Sequence, residues 1–179
     1  MRIVLDACVL YPTVMREVLL GAARTGAFTP LWSNRILEEW ARAARKLGPE
    51  GEPQARGEIA LAQAAFPAAV VPCSEGLEAR LWLPDENDIH VLATAVTSSA
   101  DAIMTMNKKD FPKSVLAEEG VDRLDPDGFL YRLWMVEPHR IEAVAQTVLA
   151  QARALSGDDW EMRALLKKAR LPRLAKALG

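Results

Sequence analysis

Acidic residues stand in four separated stretches of the chain, each where a strand would end or a helix begin. Asp6 directly follows the aliphatic run Ile3-Val4-Leu5. A carboxylate at the carboxyl end of a strand in an open parallel sheet faces the crevice where ligands and cations bind; it can also simply hydrogen-bond the turn it opens. Glu38 and Glu39 follow Ser33, whose hydroxyl suits a helix N-cap. At about 100° per residue, Ile36, Leu37, Trp40, Ala41 and Ala44 share one apolar face with the two glutamates flanking it on opposite sides. The helical wheel does not choose between them, and both also suit a solvated surface.

Asp85-Glu86-Asn87-Asp88 opens a helical run through Ala95. The spacing of Asp85 and Asp88 resembles a capping box with Asp in place of Glu, and acids in a first turn suit the helix dipole. Alternatively, small residues at Ala93 and Ala95 let this helix approach the sheet and bring Asp88 opposite Asp6. The last stretch, Thr105-Met106-Asn107-Lys108-Lys109-Asp110, ends a strand with a hydroxyl, a carboxamide, two cations and a carboxylate. Asp110, ahead of Phe111-Pro112, is either a helix cap or a metal ligand beside cations suited to phosphates.

If these acids converge they repel one another unless a cation balances them. The chain has no Cys-x-x-Cys and only two histidines, His90 and His139, so an all-oxygen ligand set favours Mg²⁺ or Mn²⁺ over zinc. Other chemistries lack their material. There is no Gly-x-Gly-x-x-Gly after the first strand, no Gly-Lys-Ser/Thr and no Gly-x-Ser-x-Gly elbow. Cys8 and Cys73 are too few for a disulfide framework, and Cys8 stands where an Asp-x-Asp phosphatase would need an acid.

The elements that must carry these residues alternate between short aliphatic runs and amphipathic stretches, the pattern of an α/β fold with a parallel sheet wrapped by helices. Strands are expected at 2–5, 29–32, 68–71, 102–105 and 121–124. Helices are expected at 12–24, 33–47, 54–66, 75–83 and 85–98, with 48–53 a Gly/Pro loop. From Asp127 onward the pattern is helical throughout, which places a compact α/β domain at 1–125 and a helical extension at 126–179. With 179 residues, 22 basic against 24 acidic, the chain suits one globular domain with an appendage and carries no global mark of a polyanion-binding coat. No apolar stretch reaches the roughly 18 to 20 residues of a membrane span, and Asp6 interrupts any signal-like core, so a cytoplasmic protein is expected. Between Met162 and Gly179 stand six basic residues and no acid. This tail reads as a solvated helix face, as phosphate contacts for RNA, or as a dock for an acidic segment. The apolar runs 14–20 and 59–66 exceed what a small sheet needs and suggest a partner-binding or self-association surface.

Four segments together resemble the PIN-domain ribonucleases, and within them the toxins of VapBC-type toxin–antitoxin pairs: Ile3 to Leu10, Leu31 to Glu39, Asp85 to Ala95, and Ala102 to Pro112. The resemblance implies a three-layer α/β/α fold over about residues 2–124 and Mg²⁺- or Mn²⁺-dependent hydrolysis of RNA to a 5′-phosphate and a 3′-hydroxyl. It also implies a cognate antitoxin and a homodimer. It carries the family's acidic positions onto Asp6, Glu39 and Asp88. The fourth falls at Asn107, where the family pattern Thr-x-Asp has an acid, or at Asp110 three residues on. Thr105 and Ser33 are candidates to orient water or a carboxylate, and Lys108 and Lys109 to contact RNA. The competing readings are a related metal nuclease acting on DNA and a catalytically degenerate PIN-like binding module, for which Asn107 is the main argument.

Overall fold

The computed structural model describes residues 1–72 and 74–179, with the backbone alone at Glu75; Cys73 lies outside the described residues. Strand β1 (Arg2–Leu5) is the centre of a five-stranded sheet ordered β3-β2-β1-β4-β5. Ile3, Val4 and Leu5 are all fully buried, which is why this strand is a continuous aliphatic run rather than an alternating one: both of its faces are covered. It pairs in parallel with β2 (Thr29–Ser33) on one side and β4 (Ala102–Met104) on the other, with Leu5 opposite Met104. Beyond them lie β3 (Val70–Val71), parallel to β2, and β5 (Asp122–Leu124) at the far edge. Strand order therefore reverses direction between β1 and β4, and a crevice opens at their carboxyl ends.

The first strand leads into the single-turn helix α1 (Ala7–Leu10) and then α2 (Thr13–Arg24). Helix α3 (Asn34–Ala43) is N-capped as expected by Ser33, whose Oγ accepts from Ile36 N at 3.2 Å, and it buries Ile36, Leu37, Trp40 and Ala41. A 3₁₀ turn over 44–47 follows. Helix α4 (Gly51–Ala65) starts inside the expected Gly/Pro loop. Pro53 falls in its first turn, where a missing N–H costs nothing because those donors have no intrahelical acceptor. Trp32 packs edge-to-face on Phe66 at 6.1 Å.

Helix α5 (Glu75–Glu78) is shorter than expected, and a 3₁₀ turn at Glu86–Asp88 precedes α6 (Ile89–Thr97). The sequence pattern did not reveal α7 (Lys113–Glu118), whose six residues are too few to display a period. Then come α8 (Pro126–Val136), α9 (Pro138–Ser156), α10 (Met162–Lys168) and α11 (Pro172–Leu178). Gly157 closes α9 in the left-handed conformation, φ 74°, and Pro172 sits at the start of α11, where its ring fits.

The chain divides into two compact units, residues 1–11 with 29–123 and residues 12–28 with 124–179. Helix α2 thus groups with the C-terminal helices, whereas the pattern of the sequence placed it with the sheet. Within that second unit α2 packs against α8, α9 and α10 and buries Met15, Val18, Leu19 and Leu20. The apolar run 14–20 is consequently core, not the exposed docking surface its composition suggested. In the run 59–66 Ile59 and Ala62 are buried and Leu61 is exposed. Among the described residues no helix is long and apolar enough to cross a membrane.

Close approach of α2 to α9 depends on Gly21: a Cβ there would meet Val144 Cγ1 at 2.5 Å. Gly21→Ala is expected to destabilise the protein by about 1–3 kcal/mol in urea unfolding, the usual cost of overpacking. The double variant Gly21→Ala/Val144→Ala should lose less than the sum of its two single changes.

Candidate metal centre

The reversal between β1 and β4 brings two distant segments together. Asp6 N donates to Met104 O at 3.1 Å, extending the ladder by one residue, so Asp6 stands beside Thr105. Asp6 begins α1 without capping it through its side chain. Its Oδ2 instead accepts from Thr105 Oγ1 at 2.7 Å and from the Cys8 thiol at 3.0 Å, and Asp6 and Thr105 are both buried. Burial and the adjacent Asp6 push the Cys8 thiol up to about 12, so this thiol keeps its proton and donates it to the carboxylate.

After Thr105 the loop folds back on itself. Asn107 N donates to Thr105 Oγ1 at 3.0 Å, and Asp110 N donates to Asn107 Oδ1 at 3.3 Å. The Asn107 carboxamide donates to Asp110 Oδ2 at 2.7 Å and to Asp88 Oδ2 at 3.3 Å. One neutral side chain thus uses both amide hydrogens to tie two carboxylates from different elements. Helix α7 is begun by Pro112, which leaves Asp110 free of any capping role.

Asp85 caps the 3₁₀ turn: its Oδ1 accepts from Asn87 N and Asn87 Nδ2, each at 2.9 Å. The capping half of the sequence reading therefore holds for Asp85, while Asp88 makes no reciprocal bond and points its charge elsewhere. Asp85, Asp88 and Asp110 each offer a carboxylate oxygen, and these atoms lie within 4.8 Å of one another. Two ligands on one hard divalent ion stand about 3–4 Å apart. The set is all oxygen, half-buried and, among the described residues, without a cationic side chain bonded to it, and it fits Mg²⁺ or Mn²⁺. Burial, then Asp6, Asp85, Asp110 and Glu39, push the Asp88 carboxyl from its ordinary 3.8 up to about 6.

Glu38 and Glu39, indistinguishable on the wheel, are separated by the fold. Glu38 turns to Arg56 at 3.0 Å and Arg42 at 3.1 Å, which hold its carboxyl below the usual range. Glu39 turns toward α6: its Oε1 lies 2.8 Å from His90 Nε2 and 3.8 Å from Arg35 Nε. Despite this contact, both ring nitrogens of this buried histidine are without a hydrogen-bond partner among the described residues. His90 borders a cavity of about 90 Å³ that also touches Ser33, Arg35 and Thr94, large enough for water. Glu39 and Asp6 reach Asp88 through space rather than sharing the three-acid group. Sequence reasoning treated Asp85 as a cap and gave His90 no role; spacing alone signalled neither, because a first-turn acid and a core histidine are each common without function.

A family model of the PIN domain matches residues 2–109. The chain belongs to the PIN-domain family. No curated protein and no solved structure matches it. PIN domains are in general metal-dependent nucleases, and this PIN domain brings Asp85, Asp88 and Asp110 close enough to hold one metal ion. Asp110 lies one residue beyond the matched stretch.

Asp88 makes the metal-free PIN domain sensitive to pH. Its folded carboxyl titrates at about 6 against 3.8 ordinarily, so between those values the folded state holds a proton the unfolded chain has released. Stability therefore falls as pH rises through that window and stays lower above it. In EDTA, Asp88→Asn is expected to raise the melting temperature at pH 7.5 and to have little effect at pH 3.5. The gain at this half-buried site is on the order of 1 kcal/mol after solvent screening. Equal effects at both pH values would contradict the crowding of these carboxylates.

Proposed function

We propose that this chain is a divalent-metal-dependent endoribonuclease, the toxin of a toxin–antitoxin pair, with Asp6, Glu39, Asp88 and Asp110 as its catalytic acids and metal ligands. The observation that carries the reading is the meeting of Asp88 and Asp110 with Asp85 in a PIN domain, with the Asp88 carboxyl pushed up by burial and then by four neighbouring acids. Asp85, Asp88 and Asp110 would hold Mg²⁺ or Mn²⁺, which would supply an acidic water and positive charge beside the phosphoryl oxygens.

The protein's own groups do the rest. Asp88 and Asp110 present oxygens tied at a set separation by Asn107, so the donor set is arranged before the substrate arrives. Thr105 fixes the rotamer of Asp6, and Ser33 holds the start of the helix that delivers Glu39. Asn107 occupies the place of an acid yet works as a donor, while the Asp110 carboxylate restores the negative charge. Lys108 and Lys109, exposed on the same loop, are suited to contact phosphates flanking the cut. The likeness of the four segments to VapC-type toxins supports RNA as substrate, a cognate antitoxin and a homodimer as assemblies, and the cytoplasm as the compartment.

Incubation with defined single-stranded RNA should give cleavage in Mg²⁺ or Mn²⁺, none in EDTA, and 5′-phosphate ends. Asp6→Asn and Asp88→Asn should each fall below about a hundredth of the wild-type rate, since several kcal/mol of charge stabilisation is at stake, with folding intact by circular dichroism. Wild-type cutting by the Asp6→Asn/Asp88→Asn double variant would overturn the assignment; cleavage of matched DNA with RNA spared would overturn the substrate.

A further inference from the structure

The basic tail that the nuclease chemistry leaves unused builds one face of the second unit. Tyr131 and Trp134, three residues apart on α8, stack at 5.7 Å between centroids and 27° between planes. Trp134 Nε1 donates to Glu142 Oε1 at 3.3 Å, which fixes the orientation of the indole. Facing them are Arg173 and Lys176, again three residues apart, on α11. Asp127 at the start of α8 sets that helix in place: its carboxylate accepts from Arg173 N at 3.0 Å and Leu174 N at 3.1 Å. Its charge is thereby used on backbone amides, and among the described residues neither the Arg173 guanidinium nor the Lys176 ammonium has an acidic partner. The four side chains and Ala177 line a groove of about 440 Å³ with no acid in its wall. That is within the roughly 300–1,000 Å³ of ligand sites.

We infer that this groove binds single-stranded RNA, one base stacking on the Tyr131–Trp134 pair while Arg173 and Lys176 take the adjoining phosphates. Stacked rings beside unpaired cations are the combination that single-stranded nucleic acids need, because every base has a flat face and every linkage a negative charge. An acidic peptide would be served by the cations alone and would leave the aromatic pair without a use. Arg163, Lys167, Lys168 and Arg170, all exposed on the same tail with no acid among them, extend the positive field that draws a polyanion. The choice of RNA as ligand rests on the ribonuclease reading; the groove itself and its binding test do not require cleavage.

The test uses the full chain in EDTA, with fluorescence anisotropy of a labelled twelve-nucleotide single-stranded RNA over a series of NaCl concentrations. Trp134→Ala should weaken binding by about tenfold or more, with Trp134→Phe restoring most of it. Arg173→Gln/Lys176→Gln, a surface change that leaves the backbone bonds to Asp127 in place, should weaken binding and lower the salt slope by about 1.4, two single-strand phosphate contacts. Wild-type affinity and slope in both Trp134→Ala and the double variant would overturn the inference. So would tighter binding of a poly-glutamate peptide than of RNA, since the occupant would then be an acidic protein segment. Dependence on Trp134 and the two cations in a protein that cuts no RNA would support the groove and refute the nuclease reading instead.

Discussion

The crowding of Asp88 by four other carboxylates, Asp6, Asp85, Asp110 and Glu39, is the constraint around which the sheet-bearing unit is organised. Water keeps like charges apart, and folding against that preference needs both rigid delivery and local compensation. Delivery comes from the parallel sheet. Because β1 and β4 are neighbours whose connections run to opposite sides, their carboxyl ends form an open crevice, and Asp6 and the loop from Thr105 to Asp110 reach it from adjacent strands. Helices α3 and α6 bring Glu39 and Asp88 to the same side.

Among the described residues, compensation around the four aspartates is neutral rather than cationic, while Arg35 stands 3.8 Å from Glu39. Thr105 and the Cys8 thiol donate to Asp6, Asn107 donates to Asp88 and Asp110, and Asn87 donates to Asp85. Such donors steady carboxylates without cancelling their charge. A lysine or arginine in the same places would have formed a closed, satisfied network. Arginines are instead spent away from the aspartates, on Glu38 and Glu52 along α3 and α4 and on the flank of Glu39. The site is thereby left short of positive charge, which is the electrostatic condition for holding a divalent ion.

The second unit follows a different logic. Its core is helix on helix, with Phe28 against Phe129 edge-to-face at 5.3 Å and Leu130, Leu171 and Leu174 fully buried. No carboxylate cluster is found among its described residues. Its buried acid, Asp127, is consumed in joining α8 to α11. Once the leucines of the tail are committed to packing, its cations have nowhere to go but the surface, and the aromatic residues of α8 meet them there.

What the sequence determined by itself was set by local and periodic physics. The aliphatic run ending in Asp6, the Ser33 cap, the buried stripe of α3 and the order of the five strands all follow from side-chain pattern, and the structure has them. Residues whose meaning is non-local were decided only by the tertiary structure. Glu38 and Glu39 are equivalent on a helix until Arg56 claims one and His90 faces the other. Asp85 is a cap in any local reading, and becomes part of a three-acid group only when the loop after β4 brings Asp110 to it. Asn107 looked like a defect in an acidic motif and is the donor that bridges two acids. Helix α2 left its sequence neighbours for the C-terminal helices because its apolar face finds its partners there. Periodicity reports which face of an element is greasy; which distant element will cover it, or which charge will stand opposite, is a property of the packed chain.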